Sequence, residues 1–221
     1  MFRTIRRVLR IILLLIAGLW LHYVLPQKDV ARITSTEVIR FDPGRFNSLF
    51  YSQGDSGNAT TENRDLRLIN TVRRKTALFG LIRYGEGVMV YRNEDTGWIY
   101  PPYFKFDSSN LQAEADDAKS TRDDPRWYVI THYGWRIPFL SIYPNAVSIK
   151  PVDGPDYRPI PWFNIVFLIA LAAGLLFVRT MWRQFRERTI DPAIDKVEDR
   201  IDRTRADVSE TGARWFGRRR K

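Results

Sequence analysis

The sequence predicts an α+β protein in which two transmembrane helices flank a mostly β extracytoplasmic domain with one short helix. A further cytoplasmic helix follows near the C-terminal end. Three observations lead there. Two apolar blocks, Ile11–Leu25 and Trp162–Val178, carry no charged residue. Arginines crowd the outer flank of each block, and the stretch between them shows the period-2 alternation of β-strands.

The first block, IILLLIAGLWLHYVL, has ten Leu, Ile or Val in fifteen residues. That is short of the ~20 residues a spanning helix usually needs, but Arg10 can snorkel and bring Val8 and Leu9 into the bilayer. A cleaved secretory signal is the rival reading, because Arg3, Arg6, Arg7 and Arg10 make a good n-region. Cleavage needs small residues after the apolar stretch, and this one ends Trp20-Leu21-His22-Tyr23-Val24-Leu25-Pro26. An uncleaved anchor is expected. The second block, WFNIVFLIALAAGLLFV, is apolar on every face, bounded by Pro161 and Arg179. Trp162 and Trp182 stand about 30 Å apart along a helix, one aromatic for each interface.

The full chain has 221 residues and a formal net charge of +10, spread unevenly. Residues 1–26 hold four Arg and no acid, residues 27–160 hold 18 basic and 17 acidic residues, and residues 161–221 hold 13 and 8. A nucleic-acid-binding protein would more often carry its excess on the folded domain, so no nucleic-acid partner is expected. Here the excess reads as a topology signal. Arg179, Arg183, Arg186 and Arg188 follow the second span, whereas the inner flanks offer only Lys28, Arg32 and Arg158. Both termini should be cytoplasmic and the middle periplasmic, in a bacterial inner membrane. The implied organisation is a basic N-terminus over 1–7, a first span over 8–26, a periplasmic domain over 27–160 and a second span over 161–179. Cytoplasmic helices over 180–213 and a basic aromatic tail over 214–221 follow.

Within the middle domain, residues 29–41 alternate, with Ile33, Ser35, Glu37, Ile39 and Phe41 on one side. A long loop over 42–64 is followed by a second strand in which Leu66, Leu68, Asn70 and Val72 alternate with Arg67, Ile69, Thr71 and Arg73. The run Arg73-Arg74-Lys75 reads as a turn rather than a binding patch. Val88–Arg92 is a third strand, closed by a turn from Asn93 to Gly97. Ser109-Asn110-Leu111-Gln112 fits a capping box before a short helix ending near Lys119. Trp127–Tyr133, Phe139–Tyr143 and Val147–Val152 read as three more strands.

Two stretches are distinctive rather than compositional: YRNEDTGWIYPPYFKFDSSNLQAEA over Tyr91–Ala115, and HYGWRIPFLSIYPNAVSIKPVDGPDYRPIPWFN over His132–Asn164. With LHYVLPQ at residues 21–27 and IDPAIDKVED after the second span, they resemble a family of uncharacterised alphaproteobacterial inner-membrane proteins catalogued as a domain of unknown function. The resemblance implies the same two-span layout and assigns no activity or catalytic residue.

Chemistry is sparse. The chain has no Cys and two His, His22 and His132, so a metal site would rest on one His and carboxylates. No metal and no cofactor is expected. The Asp116, Asp117, Asp123, Asp124 cluster and the Asp153, Asp156 pair lack the rhythm of a calcium loop and read as solvated acid. No hydrolase or phosphate-loop motif is present. A ligand pocket could form from His132, Arg136, Asn93, Glu94 and Asp95. The plainer reading makes Gly134 a tight turn and Trp135 a core residue.

The tail says more. Asp191 and Pro192 look like the cap and first residue of a restarted helix. Ile190, Ile194, Val197, Ile201 and Val208 form a narrow seam suited to coiled-coil association with a second copy or another envelope protein. The other reading is a solitary solvated helix. Arg214, Trp215, Phe216, Arg218, Arg219, Arg220 and Lys221 suit a membrane-surface tether to anionic lipids. The expected function is a non-enzymatic interaction or scaffold protein of the envelope. The alternative is an envelope enzyme or solute-binding domain using the His132 pocket.

Overall fold

The computed structural model describes residues 2–41, 50, 64–77, 82–96, 101–201, 203 and 205. The chain divides into two units, Met1–Asn164 and Ile165–Lys221. In the first, helix α1 (Phe2–Val24) leads through Leu25 and Pro26 into strand β1 (Gln27–Phe41). Then come β2 (Arg64–Ala77), β3 (Ile82–Arg92), helix α2 (Ser108–Asp117), β4 (Trp127–Tyr133) and β5 (Asn145–Val152).

The five strands close into a barrel in the order β1-β2-β3-β5-β4. All neighbours are antiparallel except β3 and β5, which meet in parallel at Arg92 and Asn145. A five-stranded barrel of this order, with a helix between its third and fourth strands, has the connectivity of an OB-fold. Closure on the β3 side rests on the one pair Arg92–Asn145: Ile82–Tyr91 of β3, and β1 beyond Ala31, pair among the strands with β2 alone. The main core gathers Ala31, Ile33, Ile69, Met89, Tyr91, Ile130 and Ala146 from the strands with Leu111, Ala115 and Ala118 from α2 and its end. A second cluster forms around Leu66 and Leu68, against Ile39, Phe50, Val90 and Tyr143.

Several expectations are corrected. The single alternation expected over 29–41 is broken by a register shift between Ile33 and Ser35, where Thr34 is the extra residue. A bulge exchanges the two faces, so Ala31 and Ile33 face the core while Ser35 and Glu37 are exposed. Arg73-Arg74-Lys75 is not a turn: it lies inside β2, paired with β1 and β3. Phe139–Tyr143 is not a strand, because Pro138 opens a 3-10 turn over Pro138–Leu140 and Ser141 takes a left-handed φ of 53°. Helix α2 is capped by Asp107, two residues before Ser109, and its side chain accepts from the Asn110 backbone N–H.

Two helices, Arg3–Val24 and Trp162–Ile201, are long and apolar enough to cross a membrane. Of their most apolar windows 6% and 0% are buried by protein, whereas a core helix would be covered. Helix α3 (Trp162–Phe185) passes into a π-turn, Arg186–Ile190. The helix does not restart at Asp191: that residue is itself right-handed helical, and its N–H donates to the Arg186 carbonyl. The wider turn sits immediately before Pro192, whose ring would clash with the carbonyl of Arg188 in a regular helix. Residue 208 of the seam and residues 214–221 lie outside the described residues.

Candidate functional site

Barrel closure puts an acid inside. Asp29 opposes Ile130 on β4 and stands two places from Ala31, which opposes Arg73 on β2. His132 and Arg73 are therefore its diagonal neighbours on the same face, within reach of long side chains. Arg73 Nη1 donates to Oδ1 at 2.9 Å and Oδ2 at 2.8 Å. Tyr91 OH donates to Oδ2 at 2.6 Å, and His132 Nε2 lies 3.1 Å from the same oxygen. Burial would raise the Asp29 carboxyl, but His132, Arg73 and Tyr91 together outweigh it and hold the group well below the usual carboxylate range. Burial, then the Asp29 charge, push the Tyr91 phenol well above its ordinary value. The cluster ties β1, β2, β3 and β4 through one carboxylate. His132 Nδ1 is buried and has no hydrogen-bond partner among the described residues.

A second knot surrounds Lys105. Its Nζ donates to Asn93 Oδ1 at 2.5 Å, the Ala146 carbonyl at 2.7 Å and the Glu94 carbonyl at 3.3 Å. An ammonium has three protons, so the donor is saturated. Burial pulls its pKa down to about 7, against the opposing pull of Asp95 and Glu94. Asn93 Nδ2 also donates to the Ser108 carbonyl and to Gln112, both at 2.8 Å. Asp95 accepts from the Ser108 N–H at 2.8 Å. Asn145, fully buried, donates to the Glu94 carbonyl and to Tyr133 OH at 3.0 Å. The knot fastens the β3–α2 segment to the start of β5.

The five candidate pocket residues are therefore divided. Asn93, Glu94 and Asp95 come together around Lys105. His132 belongs to the Asp29 cluster. Arg136 lies elsewhere, its Nη1 on the Ile142 carbonyl at 2.9 Å and its guanidinium 4.2 Å from the centre of the Tyr143 ring. Among the described residues no group of three His, Asp or Glu is placed to hold a metal ion. Trp135 is only partly buried, and its Nε1–H donates to His22 Nδ1 at 2.9 Å.

A third feature is the joint between α1 and the barrel. Tyr23 is buried, edge-on to Trp135 at 5.3 Å between ring centres, and its carbonyl accepts from the Gly134 N–H at 2.9 Å. Tyr103 OH donates to the Val24 carbonyl, and its ring stacks on Tyr133 at 4.6 Å. The helix thus enters the barrel as a packed part of it.

The family model described as "Protein of unknown function (DUF1523)" matches residues 2–186. The chain belongs to that family. An uncharacterised protein of Haemophilus influenzae is 39% identical over 164 residues, 72% of this chain and 82% of the relative. No solved structure matches. The DUF1523 match takes in both apolar helices, the barrel, the Asp29 cluster and the Lys105 knot, and stops at the π-turn. The apolar row expected from Ile190 to Val208 lies beyond it, with Ile194, Val197 and Ile201 exposed.

Asp29, Arg73, Tyr91, Lys105 and Asn145 are absent from the sequence-derived candidates. Two had a signal. Asp29 is a lone acid on the Ala31–Ile33 face, and Lys105 is a lone cation between Phe104 and Phe106. Each marks a buried charge needing partners.

Proposed function

We propose that this protein is a non-catalytic interaction module of the bacterial envelope, with α1 and α3 spanning the inner membrane and the barrel on the periplasmic side. The observation that carries the non-catalytic reading is the engagement of the buried ionisable groups. Asp29 accepts from Arg73, Tyr91 and His132, and Lys105 spends its protons on Asn93, Glu94 and Ala146. Groups so committed hold strands together; a working acid or base needs a free valence toward substrate. The bare Nδ1 of His132 is enclosed, its residue only 2% exposed. The division of His132, Arg136 and Asn93–Asp95 among three places weighs against an enzyme or solute-binding domain built on them.

The arginine asymmetry across the two apolar helices supports the orientation. Reporter fusions should be active outside the cytoplasm at residue 100 and inactive there at residue 215; the reverse pattern inverts the topology. Photo-crosslinkers in place of Val38 and Val88, 59% and 78% exposed on the barrel wall, should yield discrete protein adducts in native membranes. Absence of adducts from both sites would count against an interaction module using that wall.

A further inference from the structure

We propose that the turn Pro138-Phe139-Leu140, between β4 and β5, inserts into the leaflet that receives the C-terminal end of α1. The barrel would then hold the lipid surface at a second point. The inference rests on the membrane-spanning role proposed above for α1.

Topology fixes where this loop emerges. β4 runs antiparallel to β1, with Gln27 opposite His132, so the chain beyond Tyr133 leaves the barrel at the end where α1 enters. β5 rejoins at the same level, with Asn145 opposite Tyr133. The root of the loop is clamped to the last turn of α1 by the Gly134–Tyr23 backbone bond, the Trp135–His22 bond and the Tyr23–Trp135 ring contact. That turn ends the apolar window at Val24. Trp20, 51% exposed, and the partly exposed Trp135 supply the amphipathic aromatics that collect where hydrocarbon meets headgroup. The loop root therefore lies at interfacial depth if α1 spans the bilayer.

The tip is built for lipid. From Ile137 to Tyr143 the sequence IPFLSIY carries no charge. Ile137 and Ile142 exchange both backbone hydrogen bonds at 3.1 Å, Leu140 N–H donates to the Ile137 carbonyl at 3.2 Å, and Ser141 N–H donates to the Pro138 carbonyl at 3.1 Å. Four of the turn's backbone N–H groups, those of Ile137, Leu140, Ser141 and Ile142, are thus bonded within it, and each such bond lowers the cost of entering an apolar layer. The turn presents Phe139 at 85% exposure, with Leu140 beside it at 39%. Arg136 is folded back at the base, on Ile142 and Tyr143, at the height where a cation meets lipid phosphate. A protein partner or a second copy could also cover an exposed Phe, but neither explains why the loop root is joined to the anchor helix.

The chain has no cysteine, so single-site labelling is direct. The full chain would be reconstituted in phosphatidylcholine–phosphatidylglycerol vesicles containing lipids spin-labelled at shallow or deep acyl positions. Phe139→Cys, Leu13→Cys and Asp123→Cys would each carry an environment-sensitive fluorophore. Asp123 is exposed on the α2–β4 loop, at the opposite end of β4. Expected are strong quenching of the Leu13 probe by deep label, blue-shifted emission with several-fold quenching by shallow label for the Phe139 probe, and little quenching at Asp123. A Phe139 probe as wet as the Asp123 probe while Leu13 is quenched overturns the insertion and leaves the spanning helix standing. A Phe139 probe that is blue-shifted but untouched by spin-labelled lipid assigns the turn to a protein contact, and also overturns it. An unquenched Leu13 probe removes the spanning helix and the insertion with it. Phe139→Ser, unfolding at the wild-type temperature, should bind no less tightly through α1 yet show faster hydrogen exchange at Gly134 and Trp135 in vesicles; unchanged exchange counts against the insertion.

Discussion

Asp29 and His132, 103 positions apart in sequence, meet inside the barrel with Nε2 3.1 Å from Oδ2, both nearly enclosed. The same oxygen accepts from Tyr91, and Arg73 grips the carboxylate from β2. One side chain on the first strand therefore holds three others in register.

Asp29→Asn should be costly. An amide presents two N–H donors toward groups that are themselves donors and removes the charge opposite Arg73. Breaking a buried ion pair costs about 3–5 kcal/mol. Arg73 is 32% exposed and can recover water, so about 3 kcal/mol is expected. In a domain of this size that lowers Tm by about 10 °C. Thermal unfolding of the full chain in detergent, followed by near-ultraviolet circular dichroism, measures it. A shift of a degree or two would mean the cluster contributes little.

Acid should remove the same energy. The folded Asp29 carboxyl lies below its unfolded value of about 4, so its contribution is present above that pH and is lost as pH falls through the folded value. The Tm gap between wild type and Asp29→Asn should be widest near neutrality and narrow below pH about 4. A gap that stays constant into acid would show that Asp29 is not depressed.

Lys105 has the same sign of dependence in a higher pH window. Burial brings its folded pKa to about 7, while the unfolded chain holds the proton to about 10.4. Below pH 7 both states are protonated and the burial cost is fully present; between these values the unfolded state binds more protons, so stability rises with pH. Lys105→Met strands the acceptors on Asn93, Glu94 and Ala146 at about 1–3 kcal/mol. Its deficit against wild type should widen from pH 7 to pH 9, read as Tm in matched buffers. A pH-independent deficit would refute the shift.

These two charges mark the limit of what the sequence could tell. The two long apolar helices were legible because Ile11–Leu25 and Trp162–Val178 are uninterrupted by charge, and both are helical and long and apolar enough to cross a membrane once their flanks are counted. Trp127–Tyr133 was legible to the residue, since both ends abut turn residues and neither strand face is interrupted. β1 was misread because one extra residue, Thr34, exchanges its faces, and nothing local marks a bulge. Phe139–Tyr143 is apolar and aromatic enough to pass as a strand, but Pro138 and the left-handed Ser141 turn it. The Asp29 cluster was invisible for a different reason. Its partners lie 44, 62 and 103 residues away, and only closure of the barrel brings them to one oxygen.

Gly134 is required by its backbone rather than by space. Its φ is +91°, and an added Cβ would meet Tyr23 and the Pro144 backbone at 3.6 Å, an ordinary contact. Gly134→Ala should therefore cost about 1–2 kcal/mol through conformation alone. Gly154→Ala, with nothing within 4 Å, should stay within about 0.5 kcal/mol of wild type. Equal Tm values for the two variants would remove the strain argument for the joint to α1.

The seam beyond the π-turn should serve association and contribute nothing to barrel stability. Ile194, Val197 and Ile201 are exposed on one helix, and so narrow an apolar row cannot bury a core by itself. The barrel's two core clusters are drawn from residues between Ala31 and Ile149, none of them past Asn164. Truncation after Arg188 should therefore leave the protease resistance and Tm of the barrel unchanged. Crosslinked complexes recovered from membranes should fall several-fold when the shortened chain is compared with the full-length one. Ile194→Asp combined with Ile201→Asp should reproduce that loss, because a charge placed in a buried seam must be desolvated without a partner. A solvated helix would tolerate both aspartates, so retention of every crosslinked species in both variants would reduce the seam to an exposed helix.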